Sequence, residues 1–76
     1  MMRGVFYVSK KGPNWNVRHL GADLDYRTKV SALNDAIHAA NVTGAMGYAA
    51  EVVVRDADGQ WQTDWTYGRD RYPRNG

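Results

Sequence analysis

At 76 residues with a formal net charge of +2, the chain has the size of one small domain, and such a domain buries only about 60% of the surface its unfolded chain exposes. It contains no cysteine, which excludes a disulfide framework and a thiolate metal site and favours a cytoplasmic location. Leu, Ile, Val and Phe together number only 13, but three Trp and five Tyr, each burying roughly 150 to 250 Å² when inside, make up the apolar area of a folded, aromatic-rich core.

The N-terminal segment MMRGVFYVSKK has a short apolar run and no small-residue cleavage site, so it does not read as a signal peptide, and no stretch approaches transmembrane length. Val5 to Ser9 is β-rich and closes at Lys10-Lys11-Gly12-Pro13-Asn14, a cluster of turn formers; its composition does not decide which side faces inward. Asn14 to His19 then alternates polar and apolar residues. That pattern predicts a half-buried strand with Trp15 and Val17 on one face and Asn14, Asn16 and Arg18 on the other. Gly21-Ala22 breaks it, and Asp23-Leu24-Asp25-Tyr26-Arg27 alternates again as a short third strand.

Thr28 is placed to cap a helix, its hydroxyl accepting from the amide of Ser31. Beyond it Val30, Leu33, Ile37 and Ala40 recur at spacings of three and four, flanked by Ala32, Ala36 and Ala39, which predicts a helix of about four turns lying close to a sheet. Val42 and Thr43 are poor helix formers and Gly44 is a natural C-terminal cap, so the helix is expected to stop there.

The stretch EVVVRDADGQWQTDW, Glu51 to Trp65, reads as a β-hairpin around Asp58-Gly59. A two-residue loop sets Val54 opposite Thr63 and Val52 opposite Trp65. It predicts Val52, Val54, Trp61 and Trp65 facing the core, with Glu51, Val53, Arg55 and Gln62 on the other face. After Trp65 the chain has no periodicity, and an extended tail over about 66–76 is expected. Within it Tyr67-Gly68-Arg69-Asp70 reads as a turn that folds Tyr72-Pro73 back onto the domain, Asp70 accepting from a nearby amide or pairing with an arginine, with Tyr67 and Tyr72 packed and the arginines exposed. Together these elements describe one small α+β domain over 1–76: a two-layer sandwich, β-β-β-α-β-β, with an antiparallel sheet packed on one helix.

The order of these features resembles the small bacterial family catalogued as domain of unknown function 2188. The matching pieces are Gly12, Trp15 and Val17; Thr28 followed by Ala32, Ala36 and Ala39; Glu51 to Val54 with Asp58-Gly59; and Tyr67-Gly68-Arg69-Asp70-Arg71-Tyr72-Pro73, the most specific run. The chain departs from that pattern at Trp61, where such domains more often carry an aliphatic residue, and in the Ala45 to Tyr48 loop, which is less charged. The resemblance implies a compact α/β module and no activity.

Neither catalysis nor a cofactor is indicated. Asp56-x-Asp58-Gly59 lacks the later acidic ligands of a calcium loop and is accounted for by the turn. His19 and His38 lie on different elements without further ligands at metal spacing, and Ser9 and Ser31 are explained by a strand end and a helix cap. The chain also has little room for a large preformed pocket, so no enzyme, metal or small-molecule ligand is expected.

Binding is the remaining class. One helix covers one face of a four- or five-stranded sheet, and the second face must be polar, covered by the tail or buried against another chain. Val53, with Phe6 or Tyr7 and Tyr26, is expected to make that face adhesive, giving a protein-contact surface or a homodimer. The candidate contact residues are Arg18, Val53, Arg55, Arg69, Arg71 and Arg74. The alternative is a nucleic-acid surface, in which guanidinium groups meet phosphates and tyrosine rings stack on bases. Eight carboxylates against ten cations make the basic footprint small.

Overall fold

The computed structural model describes residues 3–74; Met1 and Met2 of the N-terminal segment and Asn75 and Gly76 of the tail lie outside the described residues. Five strands and one helix follow in the expected order: β1 (Arg3–Lys11), β2 (Asn14–His19), β3 (Ala22–Tyr26), α1 (Lys29–Ala45), β4 (Ala49–Arg55) and β5 (Trp61–Thr66). No helix among the described residues is long and apolar enough to cross a membrane.

The sheet runs β3-β2-β1-β4-β5, and it is mixed rather than antiparallel because β1 and β4 pair in parallel. The reason is the single helix. Two tight turns make β1, β2 and β3 an antiparallel meander, so β3 runs in the direction of β1. One helix then reverses the chain once, and β4 returns in the same direction against the free edge of β1. The β4–β5 hairpin restores antiparallel pairing at the far edge.

Facing in β1 follows from its neighbours. Gly4, Phe6 and Val8 point to the helix, while Tyr7 and Ser9 point away. Phe6, Val8, Val17, Val52, Val54 and Trp65 form the sheet side of the core, closed by Ala32, Ala36, Ile37 and Ala40 of α1. Trp65, 1% exposed, is the largest fully buried side chain.

The helix begins as its sequence predicts, with the Thr28 hydroxyl accepting from the Ser31 amide at 3.1 Å. Its inward stripe is rotated from the expected one: Val30 is 67% exposed, and the buried line is Ala32, Ala36, Ala40 and Gly44 with Ile37. Small side chains spaced four apart let the helix axis approach a sheet already filled by Trp65 and Phe6, which a Val at that contact would prevent. The helix also continues to Ala45, and the left-handed glycine that follows it is Gly47, at φ 102°, whose amide reaches the Gly44 carbonyl at 2.9 Å. Gly44 lies within the helix, and its lack of a side chain makes room for the ring of Tyr67: a β-carbon there would overlap Cγ, Cδ1 and Cδ2 of that ring.

The tail is not simply extended: the turn over 67–70, with Gly68 at φ 83°, folds Tyr72 back onto the domain as its sequence predicts. Asp70 accepts from the Thr66 amide at 2.8 Å, the Trp65 indole N–H donates to the Arg71 carbonyl at 3.0 Å, and the Tyr72 hydroxyl meets His38 Nδ1 at 2.7 Å. Tyr67 and Tyr72 flank Trp65 edge-on, with centroids 6.4 and 6.2 Å away. The buried indole thus finds its acceptor in the tail, as the energetics of a buried N–H require.

Candidate binding face

The β5 register decides what the uncovered face of the sheet displays. Val52 pairs with Trp65 as expected, but Val53 pairs with Thr63, Val54 with Gln62 and Arg55 with Trp61, so a bulge at Asp64 offsets the half of the hairpin nearest the turn. The loop spans residues 56–60 rather than Asp58-Gly59 alone. The Gly59 amide donates to the Asp56 carbonyl at 3.1 Å, and the Asp58 carboxylate accepts from the Gln60 amide at 3.0 Å. One extra residue reverses facing. Trp61 therefore lies on the uncovered face, 43% exposed, and Gln62 takes the helix side that Trp61 was expected to fill.

Two rows of cross-strand neighbours cross this face. The first is Asp23, Arg18, Tyr7, Val53 and Thr63, and the second is Asp25, Asn16, Ser9, Arg55 and Trp61. Tyr7, also 43% exposed, meets the edge of Trp61 with centroids 5.4 Å apart and planes at 81°. The Arg55 guanidinium sits 4.7 Å from the Trp61 ring centroid, in cation–π range. Tyr7, Ser9, Asn16, Arg18, Arg55 and Trp61 share the wall of an open depression of 440 Å³.

Electrostatically the face is divided. On the β2–β3 side Arg18 donates to both Asp23 oxygens, at 3.0 and 2.9 Å, and Asn16 donates to Asp25 at 3.1 Å. The hydrogen bonds from Arg18 hold the Asp23 carboxyl below its ordinary value, desolvation opposes this, and the Arg18 charge adds to the lowering; the same contact raises Arg18. The β4–β5 side carries Arg55 against the aromatic pair. Glu51, further along β4, is paired with Arg3.

Of the expected contact residues, the fold brings Arg18, Val53 and Arg55 onto this face and places Arg69, Arg71 and Arg74 elsewhere, on the folded tail beside β5 and α1. Arg74 is engaged within the chain: its guanidinium pairs with the Asp64 carboxylate and donates to the Asp64 carbonyl at 2.9 Å. Two of the aromatics expected here belong to the other side. Phe6 is core, stacked on His19 at 3.9 Å, and Tyr26 is the cross-strand partner of Trp15. Missing from the sequence expectation is Trp61, for which alternation pointed inward; the signals were Arg55 at the opposite strand end and Asp64, an acidic residue in a strand.

His19 Nδ1 lies 3.0 Å from the Val5 carbonyl, and Ser31 is engaged at the helix cap. Among the described residues no three His, Cys, Asp or Glu side chains converge. Protein-family models, curated proteins and solved structures gave no match to this chain.

Proposed function

We propose that the chain is a non-catalytic binding module whose protein-contact surface is the uncovered sheet face, centred on Tyr7, Val53, Arg55 and Trp61. The observation that carries this reading is the outward Trp61, held between Tyr7 and Arg55. Trp, Tyr and Arg are the residue types that dominate binding energy at protein interfaces, and here they stand side by side on a rigid sheet. Because their rings and guanidinium already constrain one another, little side-chain freedom remains to be lost on binding.

Trp61→Ala tests the reading. The exposed ring contributes little to the core, so the variant is expected to melt within a few degrees of the parent chain, yet to lose the protein that the parent captures from its native host. Retention of that protein by a folded Trp61→Ala chain contradicts the proposal.

The exposed rings beside Arg55 also suit a single-stranded nucleic acid, and titration with single-stranded and duplex DNA at low and moderate salt separates the two readings. Phosphate contacts release counterions and must weaken steeply with salt. The Arg18–Asp23 pair and the Arg74–Asp64 pair withdraw two cations from such a role, which favours protein contact.

A further inference from the structure

The face is acidic along one edge and cationic-aromatic along the other, with β1 as the middle strand of five. Asp23 and Asp25 lie on β3, and Arg55, Val53 and Trp61 lie on β4 and β5. A rotation of 180° about an axis parallel to β1 exchanges the two halves. It lays the β3 edge of a second copy over β5, and its β2 over β4, while Tyr7 and Ser9 remain on the axis.

We infer that this face binds a second copy of the chain, face to face, with the second copy's Asp25 meeting Arg55 and Trp61, and the same contact repeated by symmetry. The inference rests on the reading of the face as a protein-contact surface. A two-fold contact is self-complementary by definition, so a surface with opposite charges on either side of its own mid-line satisfies it twice. Aligned sheets pack about 10 Å apart, a gap that facing Arg and Asp side chains bridge, with apolar Val53 and Tyr7 filling the centre. The other apparent occupant of the acidic edge, Arg18, stays bonded to Asp23 and extends the apolar stem of its side chain toward the second copy's Val53. Lys11 lies one row beyond Ser9 at the end of β1, where it is exposed and its long stem carries the ammonium out into water.

The area sets the strength. Five strands at about 4.8 Å spacing, over a strand length of about 20 Å, give about 500 Å² per copy, or about 1,000 Å² in all. That is at the small end of specific interfaces, so the dimer is expected to be weak and reversible, dissociating at roughly micromolar concentration or above.

Charge exchange tests the geometry. By sedimentation velocity over a concentration series, the parent chain is expected to self-associate. Arg55→Glu and Asp25→Lys, each placing like charges together twice, are each expected to weaken association roughly tenfold or more. An equimolar mixture of these two variants restores both contacts and is expected to associate again. Melting curves verify that each variant is folded, and Val53→Glu, which removes no internal hydrogen bond, gives a second disruption near the axis. A parent chain that stays monomeric, or variants whose mixture fails to associate, overturns the inference. If the monomeric parent still captures a foreign protein and Trp61→Ala loses it, the dimer is overturned while the protein-contact reading stands. Self-association untouched by all three variants overturns the dimer on this face as well.

Discussion

The Arg74 guanidinium donates to the main-chain carbonyl of Asp64 and pairs with its carboxylate, so the tail grips the one residue by which β5 exceeds its partner strand. A bulge leaves backbone groups without ladder partners, and a charged donor on that carbonyl supplies one. The contact is part-exposed, so its worth is modest. Arg74→Ala is expected to cost about 0.5 to 1.5 kcal/mol in urea unfolding. The same variant should speed amide hydrogen exchange around Asp64 more than at Val8 in the sheet centre.

Gly44 and Tyr67 give a prediction whose sign depends on background. Ala is favoured over Gly inside a helix by about 1 kcal/mol. Here the new β-carbon meets the base of the Tyr67 ring, which cannot swing clear as a flexible chain end would. Gly44→Ala is therefore expected to destabilise the chain by about 1 kcal/mol or more. In a Tyr67→Ala background the obstruction is gone, and Gly44→Ala should stabilise by about 1 kcal/mol relative to that background. Urea unfolding of the four chains decides it; the same sign in both backgrounds would contradict the packing of Tyr67 on α1.

Leu20 occupies the first place of the two-residue β2–β3 turn, where Leu20 and Gly21 have φ of 51° and 81°. Both positive angles belong to the turn type that favours Asn-Gly. Leu20 is 80% exposed, so it gives up little packing in return for its strained backbone. Leu20→Asn is expected to raise stability by about 0.5 to 1 kcal/mol, seen as a higher melting temperature.

The Arg18–Asp23 pair carries a pH dependence of fixed sign. The Asp23 pKa is lowered in the folded chain. Its contribution to stability is therefore present above the ordinary carboxylate value, about 3.9, and is lost as pH falls through the lower folded value. In an NMR titration the Asp23 carboxyl carbon should turn over below that ordinary value, and in Arg18→Gln its midpoint should move upward.

Much of this molecule is legible in local sequence. The Thr28 cap, the Trp15–Val17 alternation and the burial of Val52, Val54 and Trp65 follow from patterns of period two or 3.6. What the sequence leaves hidden arises from contacts between distant segments. Parallel pairing of β1 with β4 depends on the path of the helix, the rotation of its stripe depends on how full the sheet already is, and Gly44 depends on Tyr67. Trp61 depends on Asp64 and Arg74: alternation counts residues from the turn, and one bulged residue reverses everything between it and the loop. A site built on such a reversal is invisible to periodicity.

The outward placement of Trp61 is the claim on which the binding face stands, and hydrogen exchange at the three indole N–H groups tests it most directly. Trp65 is buried and donates to the Arg71 carbonyl, whereas Trp61 lies open on the sheet. The account predicts that the Trp61 indole proton exchanges at nearly the rate of a free indole while that of Trp65 is the slowest of the three. A Trp61 indole protected as strongly as that of Trp65 would place β5 in the unbulged register, with Trp61 in the core, and would contradict the binding face itself.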